Sequence, residues 1–312
     1  MSVMTMTLPL HIPVLLDETI EALQVQPGKR YVDCTLGSGG HALEILTRSS
    51  PGGRLLGIDA DPESIWIARG RLADHAGSAI LVNDNFSNLG HICRENGFFP
   101  VGGILFDLGM SSVQLVSPHR GFSFQQEGPL DMRFGLNQEV TAADIVNSLS
   151  EEELAQLIWD YGEDRYSRQI ARLVVRNRPI YDTLRLAQIV QKAVGSRRGK
   201  IHQATRTFLA LRIAVNHEME NLERSLGQTI DCLESGGRLA VISYHSLEDR
   251  IVKRFMQREA RGCLCLPEAP VCRCGHTPSL RTISKQVITP SLSEVQANPR
   301  SRSAKLRVAE RL

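Results

Sequence analysis

The chain has 312 residues, 42% hydrophobic and 22% charged, with a formal net charge of +2. This length exceeds the usual single domain, so one large domain with an insertion, or two domains, is expected. The composition excludes a disordered chain, no apolar run is long enough to cross a bilayer, and the N-terminal stretch, with Pro9, Pro13, Asp17 and Glu18 and no basic start, does not read as a signal peptide.

The first hundred residues alternate short apolar runs with helical patterns, which predicts βα units and a parallel sheet, an α/β fold. Strands are expected at Tyr31–Leu36, Arg54–Asp59, Ala79–Asn83 and Gly103–Leu108. His41–Arg48 and Pro62–Ala73 read as helices, the second with Asp61 as N-cap and Pro62 in the first turn. From Ser111 to Asn137 the breakers Pro118, Gly121, Gly128 and Pro129 predict a loop. Helices follow: one behind a Ser150/Glu153 capping box, one from about Arg165 to Asn177 that stops before Pro179, and one from Asp182 or Thr183 to Gly195. Ser196–Lys200 is a basic loop. Phe208, Leu211, Val215, Met219, Leu222, Leu226, Ile230 and Leu233 then fall at spacings of three or four, which predicts one long helix stopped by Gly236-Gly237. Arg238–Ser243 reads as a buried strand, Leu247–Arg261 as a helix, and Thr282–Ile288 and Ala304–Arg311 as closing strands. The sheet is therefore expected to occupy 1–117 and 217–312, with a helical insertion over 118–216.

The charge is unevenly spread. Between Arg165 and Arg212 lie twelve basic residues, including Arg178, Arg197, Arg198, Lys200 and Arg206, against the single acid Asp182. The tail adds Arg281, Lys285, Arg300, Arg302, Lys305, Arg307 and Arg311. Such runs point to a polyanion-binding face, since a merely solvated surface interleaves both signs. Three of the seven cysteines, Cys34, Cys93 and Cys232, fall in core elements and suit a reducing cytoplasm.

Asp33-Cys34-Thr35-Leu36-Gly37-Ser38-Gly39-Gly40-His41 ends the first strand and opens a helix. Glycines there allow close approach to a ligand, and a helix N-terminus offers free N–H groups. Asp59 ends the second strand, where a carboxylate can accept both ribose hydroxyls of an adenosine. A nicotinamide oxidoreductase would share these features. Asp33 ahead of the glycines, Asn83-Asp84-Asn85-Phe86 after the third strand and Phe106-Asp107-Leu108-Gly109 after the fourth favour S-adenosylmethionine. Ligand groups gather at the carboxyl ends of such strands. A methyltransferase of small molecules or proteins, and a non-catalytic RNA-binding factor on the same fold, are the competing readings.

Longer motifs carry a resemblance. They are His11-Ile12-Pro13-Val14-Leu15-Leu16-Asp17-Glu18, Asp33–His41, Asp107-Leu108-Gly109-Met110-Ser111-Ser112, Arg120-Gly121-Phe122-Ser123-Phe124, Gly128-Pro129-Leu130-Asp131-Met132-Arg133, Ala204-Thr205-Arg206-Thr207-Phe208, His245–Arg250 and Asn298-Pro299-Arg300. On these the chain resembles the bacterial ribosomal RNA small subunit methyltransferase H family, also called MraW. The resemblance implies a class I (Rossmann-like) S-adenosylmethionine-dependent domain interrupted by a helical insertion that recognises RNA. It implies methylation of N4 of a cytidine in the decoding region of 16S rRNA, within an assembled small subunit, and it leaves a homodimer open. Cofactor contacts carry over to Gly39, Gly40, His41, Asp59, Phe86, Asp107 and Gln114. Ser38 stands at a tolerant position of the glycine-rich turn, Gln203 replaces a usual proline, and Tyr244 replaces a phenylalanine.

The N4 amine is a weak nucleophile, because its lone pair is delocalised into the ring, so the task is positioning plus acceptors that polarise it. Asp107 is expected where cofactor and amine meet, with Asp131 and His245 as catalytic acceptors of the amine proton. A structural hydrogen bond at the strand end is the other reading of His245. Arg133, Arg206 and Arg300 read as RNA contacts, since guanidinium stays protonated. Cys263, Cys265, Cys272 and Cys274, with His276 nearby, could supply four thiolates to zinc. C-x-C pairs are less diagnostic than C-x-x-C, and reduced free thiols fit as well. Members of the family vary here, which implies that activity does not depend on the cluster.

Overall fold

A computed structural model describes residues 12–135, 138–195, 201–265, 271–284 and 286–312. Pro9, His11, Asn137, Arg197, Arg198, Lys200, the rest of the 196–200 loop and Lys285 lie outside the described residues. The chain divides into two compact units: one runs to Gly109 and resumes at Asn221, and the other is Met110–Glu220. The boundaries expected from the sequence are 117/118 and 216/217.

In the first unit seven strands, β1 (Arg30–Asp33), β2 (Arg54–Asp59), β3 (Ala79–Asn83), β4 (Val101–Asp107), β5 (Leu233–Ser243), β6 (Leu280–Thr282) and β7 (Lys305–Arg311), form one sheet in the order 3-2-1-4-5-7-6. The first five are parallel, and β7 runs antiparallel to both its neighbours. This is the Rossmann-like α/β arrangement expected. Helix α1 (Leu16–Leu23) precedes β1, and α2 (Gly40–Ser49), α3 (Pro62–Arg71) and α4 (Leu89–Glu95) intervene between the early strands.

The strands are continuously apolar because both faces are covered. Successive residues feed opposite cores: Tyr31, Leu55, Leu105, Ala240 and Ile242 join one, which includes Ile45 of α2 and Ile65 of α3. Val32, Leu56, Ile104, Phe106, Leu239 and Val241 join the other, with Ile92 of α4. The parallel half thereby points the carboxyl ends of β1, β2, β3 and β4 to one edge, where Asp33, Asp59, Asn83 and Asp107 stand.

The second unit holds α5 (Ser112–Val116), α6 (Ala142–Ser148), α7 (Glu151–Gly162), α8 (Ser167–Arg176), α9 (Thr183–Val194) and α10 (Thr205–Asn216) around a core that includes Ile145, Ile158, Ile170, Leu186 and Leu211. The Ser150/Glu153 capping box forms as expected, and Asp182 is the N-cap of α9. The short α5, inside the stretch expected to be loop, starts from a Ser111/Gln114 capping box.

Three expectations are corrected. Leu233 and Gly236-Gly237 lie inside β5 rather than at the end of a helix. The single long helix is two, α10 and α11 (Glu218–Cys232), because His217 takes φ 50 and ends the first. The apolar spacing continues across that break, so periodicity could not reveal it. The strand expected over Thr282–Ile288 is confined to β6, and Ile288 meets Leu306 by an isolated bridge only. After α12 (Ser246–Glu259), the chain also forms α13 (Leu292–Ala297), which was not expected.

Arg212 of α10 spans the break with a buried bidentate pair to Glu218, Nε–Oε1 2.8 Å and Nη2–Oε2 2.9 Å. Removing one partner of such a pair is far costlier than the pair is worth. Glu218→Ala is expected to lower unfolding stability by about 3 kcal/mol in chemical denaturation, and a change under 1 kcal/mol would show the pair to be dispensable.

Candidate active site

The turn after β1 is built for a ligand. Gly37 and Gly39 take φ 51 and 77, conformations that strain any residue with a Cβ, and Gly39 is the N-cap of α2. At Gly40 a Cβ would stand 2.4 Å from Pro13 Cγ, so the N-terminal segment closes against the turn only because that side chain is absent. Ser38 is not among the left-handed residues, which explains why a non-glycine is accepted there.

Asp59 is engaged from both sides: Oδ2 accepts from Gly37 N–H at 2.8 Å and Oδ1 from Asp61 N–H at 2.8 Å. It thus ties the glycine turn to the end of β2. Phe86 follows β3 in a 3-10 turn capped by Asn85, and its ring meets Phe106 edge-on at 5.6 Å. An aromatic face is therefore held beside the same strand ends.

Asp107 closes β4. Its N–H donates to Thr35 Oγ1 at 2.6 Å, and its Oδ1 accepts from the Tyr244 hydroxyl at 2.7 Å. Its Oδ2 lies 3.7 Å from His41 Nδ1. His41 is buried, and its Nε2 donates to the Val14 carbonyl at 3.0 Å. A carbonyl only accepts, so Nε2 carries the proton and Nδ1 faces Asp107 as a lone pair. Burial, helped by Arg71, holds His41 down to about 4 against the opposing Val14 hydrogen bond, so the ring is neutral at pH 7. Burial also pushes the Tyr244 hydroxyl well above its ordinary range, with the Asp107 charge adding to it. The hydroxyl therefore stays a donor.

Asp33 lies fully buried beneath the turn and accepts from Thr35 N–H at 3.2 Å. Burial pushes its carboxyl up to about 7; the Thr35 hydrogen bond opposes this, and the charges of Asp107 and Asp59 reinforce it. Three carboxylates at neighbouring strand ends form a negative site that a cationic ligand would relieve.

His245 proves to be the N-cap of α12: its side chain accepts from Glu248 N–H, and Glu248 Oε2 accepts from the backbone N–H groups of His245 and Tyr244 at 3.2 and 2.8 Å. Its Nε2 lies 3.0 Å from Glu248 Oε1. Arg300 is exposed in the 3-10 turn Pro299–Ser303. In the tail, Arg307 and Lys305 both pair with Asp249, at 2.6 and 3.3 Å, and Arg311 Nε donates to Ile230 O, so these cations serve the fold.

Within the second unit, Asp131 and Arg133 are locked together, Nε–Oδ1 2.8 Å and Nη2–Oδ2 2.8 Å, and Arg133 Nη1 also donates to Gln138 O. Burial would raise the Asp131 carboxyl, but the Arg133 guanidinium outweighs it and holds Asp131 below its ordinary value. The loop carrying this pair is clamped by residues the sequence did not single out for it. Arg120 Nη2 donates to the Arg133 and Phe134 carbonyls, both at 3.0 Å. Asn216 accepts from Phe134 N–H at 2.7 Å and donates to Met132 O at 2.8 Å. Gln114 is buried, with Oε1 accepting from Ser111 N–H at 2.9 Å.

The basic run separates by function in this unit. Arg178 donates to the Val146 and Leu149 carbonyls and Arg212 is buried, so both are structural. Arg206 is exposed, with Nη1 on Glu163 O. Arg165, Arg168 and Arg172 line a groove of about 750 Å³ between α7 and α8, with the exposed Trp159 and the acids Glu151 and Glu152.

The model of the MraW methylase family matches residues 9–312. The ribosomal RNA small subunit methyltransferase H of Dehalococcoides mccartyi is 59% identical over 302 residues, covering 97% of this chain and 86% of its own length. The proteins of the same name from Thermomicrobium roseum and Symbiobacterium thermophilum are 51% and 48% identical, covering 97% of this chain and 94% and 96% of their own. With a family match from end to end and relatives this similar, the chain belongs to the MraW methylase family.

Proposed function

We propose that this chain transfers a methyl group from S-adenosylmethionine to the exocyclic N4 amine of a cytidine in the decoding region of 16S rRNA, acting on the small ribosomal subunit in the cytoplasm. The observation that carries this reading is the set of carboxylates Asp33, Asp59 and Asp107 gathered around the Gly37–Gly40 turn, in a chain of the MraW family. That donor set fits a ligand combining an adenosine with positive charge.

S-adenosylmethionine, when bound, supplies a methyl group activated by a sulfonium leaving group. The chain's own residues do the rest. Gly39 and Gly40 keep the backbone bare at the N-terminus of α2, and His41 stays neutral there, so no repelling charge faces the ligand. Asp59 takes the ribose hydroxyls, Phe86 flanks the base, and Gln114 completes the cofactor contacts. Asp107, oriented by the Tyr244 hydroxyl, faces the amine and polarises its N–H bonds.

Asp131, kept ionised by Arg133, is a strong hydrogen-bond acceptor and a poor resting place for a proton. Its role is to hold the amine while the proton passes on to solvent. Arg133 then serves chiefly to orient Asp131, a shift from direct RNA contact. His245, whose Nδ1 caps α12, sets the strand end that carries Tyr244 and is the weaker acceptor. Arg206, Arg300 and the guanidiniums beside Trp159 bind phosphate and stack on unpaired bases. The target base is unstacked to reach the methyl group.

The deciding experiment gives radiolabelled S-adenosylmethionine to small subunits lacking the modification and analyses the nucleosides. Label is expected in N4-methylcytidine. Label in another nucleoside would reassign the target, and no label despite bound cofactor would leave a non-catalytic RNA-binding factor.

A further inference from the structure

The segment joining α12 to β6 carries Cys263, Cys265, Cys272 and Cys274, none of them used by the methyl-transfer site. Their sulfurs converge. Cys263 Sγ lies 3.4 Å from Cys272 Sγ and 3.7 Å from Cys274 Sγ, which are 3.6 Å from each other. All four sulfurs fall within 4.8 Å of one another. A disulfide would bring two of them to about 2.05 Å, and all four cysteines are free thiols. A zinc ion with Zn–S bonds of about 2.3 Å holds its sulfurs at the corners of a tetrahedron with edges of about 3.8 Å. The cluster has that spacing. Iron–sulfur clusters distribute their cysteines over separate irons, whereas here one ion would touch every sulfur.

Two further features fit anionic sulfurs around a cation. Backbone N–H groups point at the sulfurs: Leu264 at Cys274 (3.3 Å), Cys265 at Cys263 (3.3 Å) and Arg273 at Cys265 (3.4 Å). Such donors stabilise a thiolate and orient it as a ligand. Moreover, no described residue from Arg261 to Ser279 is buried, and Leu264 and Val271 stand exposed. Apolar packing therefore does not gather this segment. A segment without its own core commonly needs a metal or a disulfide as a staple.

We propose that Cys263, Cys265, Cys272 and Cys274 bind one zinc ion in a closed tetrathiolate site that fixes the segment between α12 and β6. Four protein ligands leave no open coordination position, so the ion is structural and takes no part in methyl transfer. Soft thiolate donors select zinc over magnesium or calcium. His276 is not one of the converging groups.

Elemental analysis of the full chain, purified without chelators, tests this. About one equivalent of zinc per chain is expected. Less than about a tenth of an equivalent, or an equivalent of iron instead, would overturn the proposal. The Cys272→Ser/Cys274→Ser variant is expected to lose the zinc and to become readily cleaved by protease between residues 261 and 279, while still binding S-adenosylmethionine. Zinc retained at full occupancy in that variant would place the ion elsewhere and sink the assignment. Should the variant not fold, stepwise blocking of the surface thiols of the wild-type chain with a mercurial gives the same answer. Zinc should leave in step with loss of these thiols, and zinc that stays after all four are blocked refutes the site.

Discussion

Replacing Asp107 by Asn should lower the rate of methyl transfer by about 10³-fold while leaving the fold intact. The carboxylate stands at the end of β4, fixed on one side by the Tyr244 hydroxyl at 2.7 Å and facing the bare Nδ1 of His41 at 3.7 Å. Its backbone N–H is held by Thr35 at 2.6 Å, so the position survives a change of side-chain charge. Asparagine keeps the shape but removes the negative charge proposed to polarise the amine. Tyr244→Phe is the graded companion: it deletes one hydrogen bond to a charged group and should cost about tenfold in kcat. Single-turnover rates with saturating cofactor check both, with thermal melts as the control for folding. An Asp107→Asn enzyme that transfers at the wild-type rate would remove this carboxylate from the chemistry.

Cofactor affinity should weaken about tenfold per pH unit below pH 7 and level off above it. Without ligand, burial pushes Asp33 up to about 7 from an ordinary 3.8, with Asp107 and Asp59 adding to the shift. A cationic ligand favours the ionised form, so at pH 6 binding must first remove a proton from Asp33. His41, held down to about 4, does not titrate in this window. The effect on stability has the opposite sense. In the ligand-free protein the unfolded carboxyl releases its proton near pH 4 and the folded one near pH 7. The contribution of Asp33 to stability is full below pH 4 and falls by about 4 kcal/mol as pH rises to 7, at about 1.4 kcal/mol per unit. Bound cofactor should reverse that loss. Calorimetric titration between pH 5.5 and 7.5, on wild type and Asp33→Asn, checks the idea. A pH slope that persists in Asp33→Asn would assign the titrating group elsewhere.

Local signals in the chain were sufficient wherever a single element carried them. β2 and β3 have the expected limits, because an unbroken apolar run flanked by breakers has no competing local structure. The Asp61 and Ser150 caps are contacts within one turn and read directly. The glycine turn and the acids ending β1, β2 and β4 were also visible, since a parallel sheet sends all its carboxyl ends to one edge.

Contacts distant in sequence were not readable. The proton on His41 depends on the Val14 carbonyl, the orientation of Asp107 on Tyr244, and the loop of Asp131 on Arg120 and Asn216. The break at His217 was hidden because apolar spacing reports which face is buried, not whether the backbone continues. Likewise the arginine run looked uniform, yet Arg178 and Arg212 turn inward to carbonyls and a carboxylate while Arg165 and Arg168 face a groove. By itself the sequence determined the α/β class and the residue types at the site, because these follow from pattern and spacing, and its longer motifs carried the resemblance to the family. Only the tertiary structure decided which charges are shared and which groups keep their protons, because those depend on burial and on partners from other elements.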